Sequence, residues 1–174
     1  QETLSRLGAD VCRYIPHRVK EGYGLSANIL AIARERGAKL LITADCGTNS
    51  TRQITQLRQH GIDVVVTDHH EPAEDAGSAY ASAMINPKFK NSGYGYRDLA
   101  GVGVAYKLCQ ALTGQPLETE LDLVCLGTIA DSVPLTGENR VIAKAGLRQI
   151  ARTTRPGLLT LMEESGIKNK AVTP

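Results

Sequence analysis

The chain has no tryptophan, one phenylalanine and six tyrosines in 174 residues, so stacking platforms for nucleobases are scarce. Its four cysteines, Cys12, Cys46, Cys109 and Cys125, are widely spaced and form no C-x-x-C pair. That spacing speaks against a disulfide framework or a zinc cage. Three of the four fall inside strand or helix patterns and read as small buried residues in a reducing compartment. There is no signal peptide, no lipidation site and no apolar run long enough to span a membrane, so a cytoplasmic protein without a membrane partner is expected. Internal repeats and low-complexity stretches are also missing. A net charge of only +2 neither favours nor excludes a polyanionic partner, because distribution decides that. With 42% hydrophobic residues the chain can bury the core of one domain.

What is there concentrates at two strand ends. Residues 61–72 read G-I-D-V-V-V-T-D-H-H-E-P. Ile62, Val64, Val65 and Val66 form a β-branched apolar run, the pattern of a strand buried on both faces of a parallel sheet. Directly after it come Asp68, His69 and His70. Open α/β sheets bind ligands beyond the carboxyl ends of their strands, and two of the chain's four histidines fall side by side at this one. Leu40, Leu41 and Ile42 make a second buried-strand run that ends in Asp45-Cys46-Gly47. Between the two lies a helical stretch, with Ile54 and Leu57 as its apolar edge, Asn49 or Ser50 to cap it and Gly61 to end it. A βαβ unit sets such strands parallel, so Asp45 and the Asp68-His69-His70 group converge on one crevice. Oxygen and imidazole donors together suit Mn²⁺, Zn²⁺ or Fe²⁺ better than Ca²⁺.

A third carboxylate stands out. Leu121, Leu123, Val124, Cys125, Leu126 and Ile129 predict a helix apolar nearly all round, hence buried. Asp131 closes it at the C-terminus, where a negative charge opposes the helix dipole unless a cation compensates. A buried site with a metal explains it better than a turn open to solvent does.

Positive charge is patterned too. No acidic residue occurs from Asn139 to Met162, while Arg140, Lys144, Arg148, Arg152 and Arg155 recur every three or four positions. On a helix these make one cationic ridge, with Val141, Ala145, Leu147, Ile150 and Ala151 turned to the core. The ridge is either a solvated face or a phosphate-contacting surface. Lys88, Lys90 and Arg97 form a second cluster in a loop that also carries Phe89, Tyr94 and Tyr96, aromatics that either pin the loop down or stack on bases. Gly101-Val102-Gly103 either opens a helix toward a phosphate or packs backbone tightly against the sheet.

The expected fold class is α/β: a Rossmann-like parallel sheet over residues 1–115 followed by an all-helical part over 116–174. Strands are expected at 10–15, 39–44, 63–67 and 82–85. Helices are expected at 26–36, 49–60, 102–112, 118–130, 139–153 and 158–165, the last two separated by Pro156-Gly157.

These motifs match a family. The chain resembles the DHH phosphoesterases, and within them the RecJ-type single-strand-specific exonucleases. The matching segments are Y-I-P-H-R-V-K-E-G-Y-G-L from Tyr14, T-A-D-C-G from Thr43, T-D-H-H-E-P from Thr67 and I-N-P-K from Ile85. They continue with D-L-A-G-V-G-V-A-Y-K-L from Asp98, L-G-T-I-A-D-S-V-P-L from Leu126 and G-E-N-R from Gly137. The resemblance implies two divalent ions, Mn²⁺ or Mg²⁺, with Asp45, His69 and Asp131 as ligands. It places His70 toward the scissile phosphate and Asp68 as support. It implies hydrolysis of single-stranded DNA from the 5′ end, in repair and recombination, with single-strand-binding protein and a helicase as partners. Arg140, Lys144, Arg148, Arg152, Lys88 and Arg97 are then the candidate DNA contacts. The family's upstream D-x-D-G motif is not among these residues, nor are its C-terminal domains, so the chain reads as a partial catalytic domain, inactive alone. An upstream strand missing between 10–15 and 39–44 would leave the first of these either to pair with the second or to face a neighbouring chain. Two other readings stand beside the exonuclease. One is a relative acting on oligoribonucleotides, cyclic dinucleotides or pyrophosphate, against which the long stretch from His70 to Asp131 argues. The other is a non-catalytic scaffold, against which the retained acidic and histidine residues argue.

Overall fold

The computed structural model describes residues 1–74, 76 and 80–167. After the short helices α1 (Glu2–Arg6), α2 (Arg18–Glu21) and α3 (Ile29–Glu35), the chain enters β1 (Leu40–Ala44), α4 (Thr51–Gln59), β2 (Asp63–Thr67) and β3 (Ala83–Ile85). The three strands form one parallel sheet in the order β1-β2-β3. Central β2 buries Val64 and Val66 completely, with Ile62 just before it. These pack with Ile54 and Leu57 of α4 and with Ile29 and Ala33 of α3, so the βαβ reading holds. Gly61, at φ +73°, ends the α4 turn where a side chain would be strained.

Helices α5 (Gly101–Thr113), α6 (Leu121–Ala130), α7 (Gly137–Ile150) and α8 (Pro156–Glu164) follow, with a 3₁₀ turn at Glu118–Glu120 ahead of α6. Leu99, Val104, Tyr106, Val124 and Ile142 form the core shared by α5, α6 and α7. Helices α6 and α7 approach closely because Gly146 carries no Cβ. One added there would sit 2.2 Å from Cys125 Cβ and 2.3 Å from the Leu121 carbonyl oxygen. Helix α5 touches β1 and β2 on one side and α6 on the other, and so joins sheet to helices.

Several expectations are corrected. Residues 10–15 are not a strand. They pair with neither β1 nor anything else in the sheet, and Ile15 is 83% exposed. β-propensity alone does not make a strand where no neighbouring edge offers its hydrogen bonds. Strand β1 is consequently an edge among the described residues, with Leu40 exposed, Leu41 and Ile42 half-buried and only Thr43 buried. The helix expected over 26–36 shortens to α3. Cys125 is the one buried cysteine, Cys46 and Cys109 being half-buried and Cys12 exposed. Helix α6 is not buried all round: Leu123 and Leu126 face out, while Asp122 lies inside.

That inner carboxylate explains a cationic residue. Asp122 accepts from Thr153 Oγ1 at 2.8 Å and from Arg155 Nε at 3.1 Å, and Arg155 Nη2 also meets Glu120 at 2.5 Å. A buried charge persists only when partnered in this way, so Arg155 leaves the ridge. Arg140, Lys144 and Arg148 stay exposed along α7, and Arg152 just beyond it. The core-facing residues of α7 are Asn139, Ile142, Ala143, Gly146 and Ile150, whereas Val141 and Ala151 point outward.

Gly146→Ala is expected to lower stability by about 1–3 kcal/mol through overpacking. Gly157→Ala, with open space around it, should be neutral or stabilising by up to about 1 kcal/mol. Paired denaturant titrations check both.

Candidate metal centre

The sheet register builds the site. Ala44 lies opposite Thr67, and Thr67 opposite Ile85, so the next residues, Asp45, Asp68 and Asn86, stand in a row at the carboxyl ends of three strands. The amide of Asp45 donates to the Thr67 carbonyl at 2.9 Å and that of Asp68 to the Ile85 carbonyl at 3.0 Å, extending the ladder into the site.

Asp68 is buried and acts as an anchor. Its Oδ2 accepts from the Thr48 amide at 2.9 Å, and its Oδ1 accepts from the His69 amide at 2.8 Å and from His70 Nδ1 at 2.7 Å. Burial pushes its pKa upward, but the hydrogen bonds from His70 and from the Thr48 and His69 amides outweigh that and hold it below the ordinary carboxylate range. Asn86, also buried, donates to Thr48 Oγ1 at 2.8 Å and to the His70 carbonyl at 2.9 Å, and accepts from the Lys88 amide. Together they lock the loops after β1, β2 and β3.

On this support His69 turns its ring inward. Its Nε2 lies 3.2 Å from Asp45 Oδ1 and 3.3 Å from Asp131 Oδ2. Yet neither contact has hydrogen-bond geometry, so this buried nitrogen is left without a hydrogen bond. The facing Asp45 carboxylate raises its proton affinity, burial opposes this, and Asp131 adds to the rise. Asp45, His69 and His70 can each direct one donor atom to within 4.8 Å of the others. Asp131, at the C-terminal cap of α6, is exposed rather than buried as expected, because it lies in the turn past the helix, and it is brought beside them by the packing of α6 on α5.

Asp45 itself is strained, with φ +62°, a conformation costly for a residue with a side chain and held only where its surroundings over-determine it. Three neighbours do so. Thr67 takes its amide proton, the Tyr23 hydroxyl donates to its carbonyl at 2.7 Å, and its carboxylate presses on Gly101. A Cβ on Gly101 would fall 2.1 Å from Asp45 Oδ1. The glycine pair at the start of α5 therefore serves close packing: Gly101 against Asp45, and Gly103 against Leu99.

Tyr23 was not singled out by sequence reasoning. Its hydroxyl also stands 2.9 Å from the His70 ring nitrogens, and Arg18 lies over its ring at 5.6 Å. The left-handed glycines Gly22 and Gly24 on either side of it were the available signal. Burial and the surrounding carboxylates, Asp68 foremost, raise its pKa well above that of a free phenol. Cys46 is pushed up to about 11 by burial and by Asp68 and Asp45, so its thiol stays protonated and is a poor ligand.

Elsewhere the aromatic loop is pinned. Tyr94 donates to Glu138 at 2.8 Å and Tyr96 to the Thr136 carbonyl at 2.8 Å. Lys88 pairs with Glu71 at 3.3 Å, and Arg97 donates to the Lys88 carbonyl.

Comparison with known proteins fits this arrangement. The profile of the DHH family, N-terminal domain, matches residues 1–128. The chain belongs to the DHH family. Single-stranded-DNA-specific exonuclease RecJ of Bacillus subtilis is 44% identical over 94% of the chain, which covers 21% of that protein. RecJ of Thermus thermophilus is 37% identical over 97% of the chain, covering 25% of it. The chain thus spans about a fifth to a quarter of these relatives. A crystal structure of exonuclease RecJ bound to manganese superimposes with a TM-score of 0.83 at 34% identity, covering 98% of this chain and 44% of that one. The α/β parallel-sheet class is shared with it.

In this DHH chain, Gly101→Ala is expected to drive the Asp45 carboxylate out of the cluster. A crystal structure of the variant should show its separation from His69 Nε2 opened well beyond 3.2 Å.

Proposed function

We propose that this DHH chain is the metal-binding part of an enzyme that hydrolyses single-stranded DNA from the 5′ end, with Mn²⁺ or Mg²⁺ as cofactor. The observation that carries the reading is the buried His69 Nε2, set between two carboxylates without a hydrogen bond to either. Such an atom is costly unless something it binds sits there. The donor set of Asp45, His69 and Asp131, oxygen and imidazole, fits a divalent ion. Bound there, a pair of ions supplies an activated water and neutralises charge on the phosphate oxygens.

The chain's own side chains do the rest. Asp45 and Asp131 bring negative charge to one spot and, with His69, would hold the ions. Asp68 accepts a hydrogen bond from His70 Nδ1 and so fixes the ring, which we place toward the scissile phosphate. Tyr23 holds the Asp45 backbone and flanks that ring. The RecJ-type relatives support single-stranded DNA as substrate. We place the protein in the cytoplasm, in repair and recombination, with single-strand-binding protein and a helicase as partners of the full-length polypeptide. No helix among the described residues is long and apolar enough to cross a membrane. We divide the domain at residue 115 into an α/β and a helical part; residues 168–174 lie outside the described ones.

The full-length protein with Mn²⁺ should release mononucleotides from 5′-labelled single strands and leave duplexes intact. Asp45→Ala, His69→Ala and Asp131→Ala should each reduce turnover to background. Cleavage confined to dinucleotides would support the small-substrate reading, and no cleavage at all the scaffold reading.

Arg140, Lys144 and Arg148, which form no ion pair among the described residues, are proposed phosphate contacts, with Arg152, Lys88 and Arg97. Replacing the first three with alanine should weaken single-strand binding. The slope of log affinity against log salt should flatten by about 0.7 for each phosphate no longer neutralised, and unchanged slopes would mark α7 as a solvated face.

A further inference from the structure

The G-E-N-R segment beginning at Gly137 has no part in the centre described above. Yet it holds the other buried side-chain atom without a hydrogen-bond partner among the described residues, Asn139 Oδ1. Asn139 is fully buried near the start of α7. Its amide group donates through Nδ2 to the Asp98 carbonyl at 2.6 Å and to the Pro134 carbonyl at 3.0 Å. Both protons of one planar NH₂ group are thereby committed.

The two carbonyls belong to the two segments that carry the helical part to the centre. Asp98 lies three residues before Gly101, whose backbone abuts the Asp45 carboxylate. Pro134 lies three residues after Asp131, in a turn where Ser132 is held at φ +59°. Two carbonyl oxygens do not attract one another, so a donor fork is needed to hold these segments at a set spacing. Tyr96 adds a tie nearer the solvent, from its hydroxyl to Thr136. The orphaned Oδ1 is the cost of placing the donors here. A side chain kept only for packing would avoid it.

We propose that Asn139 is a positioning residue for the metal centre, its NH₂ group setting the spacing of Asp45 and Asp131 across His69. The inference rests on the metal-binding reading above. A purely structural role would lower fold stability and leave the metal affinity of the folded protein as it is, whereas a positioning role lowers both.

The test uses the full-length protein, with Mn²⁺ alone as ligand, in calorimetric titration, and thermal melts with and without Mn²⁺. Asn139→Leu keeps the volume, removes both donors and removes the orphaned oxygen. Its metal-free Tm should fall by a few degrees, because the Asp98 and Pro134 carbonyls lose their donor, while Mn²⁺ affinity falls about 10–100-fold, as for other residues that orient metal ligands, and the Mn²⁺-induced rise in Tm shrinks. Asn139→Asp, which turns an acceptor toward both carbonyls, should lose affinity at least as far. His69→Ala serves as reference. If it loses Mn²⁺ binding while both Asn139 variants titrate like the parent, the positioning role is overturned and the metal centre stands. If His69→Ala binds Mn²⁺ as the parent does, both fall together. Should Asn139→Leu not fold, Asn139→Asp decides. Failure of both to fold makes Asn139 a folding determinant and overturns the proposal.

Discussion

The parallel register of three strands is the constraint on which everything else depends. Because Ala44, Thr67 and Ile85 lie in one row, the first residues past the strands emerge together. Asp45 becomes a candidate ligand, Asp68 an anchor and Asn86 a brace because of that row. A slip of one residue would turn each of these side chains to the opposite face. The buried Val64 and Val66 resist such a slip, since it would expose them to water.

Upon that register the site is over-determined. Asp45 adopts a left-handed backbone that a free aspartate would leave, and it is held by a strand, a tyrosine hydroxyl and a helix that begins with glycine. Asp68 is saturated by donors on both oxygens, so it cannot swing into the crevice. His69 thus stands with its nitrogen aimed at two carboxylates and satisfied by neither. Local strain and an unpartnered buried atom in one place are the pattern of a site shaped for a ligand.

The helical half contributes by packing as much as by chemistry. Closely apposed α6 and α7, and α5 between them and the sheet, deliver Asp131 to a sheet it does not belong to. The same packing sorts the positive charges. Arg155 is spent on the buried Asp122, whereas Arg140, Lys144 and Arg148 are left to solvent.

The sequence by itself determined the local elements and the identity of the cluster. The Val64–Val66 run, the polar triplet after it and the helix punctuation by Gly61 and Pro156 are short-range signals, and β2, α4 and α8 follow them closely. Residues 10–15, with Val11, Tyr14 and Ile15, misled, because a strand needs an edge to pair with and no propensity supplies one. The largely apolar 121–129 stretch misled as well, since which side of a helix meets its neighbours is settled by where those neighbours lie. Nothing local told that Tyr23 would reach the Asp45 carbonyl, that Gly101 must be bare to admit a carboxylate, or that Asn139 would span two carbonyls. Those contacts join residues far apart in the chain, and only the folded packing, where distance in space replaces distance in sequence, decides them.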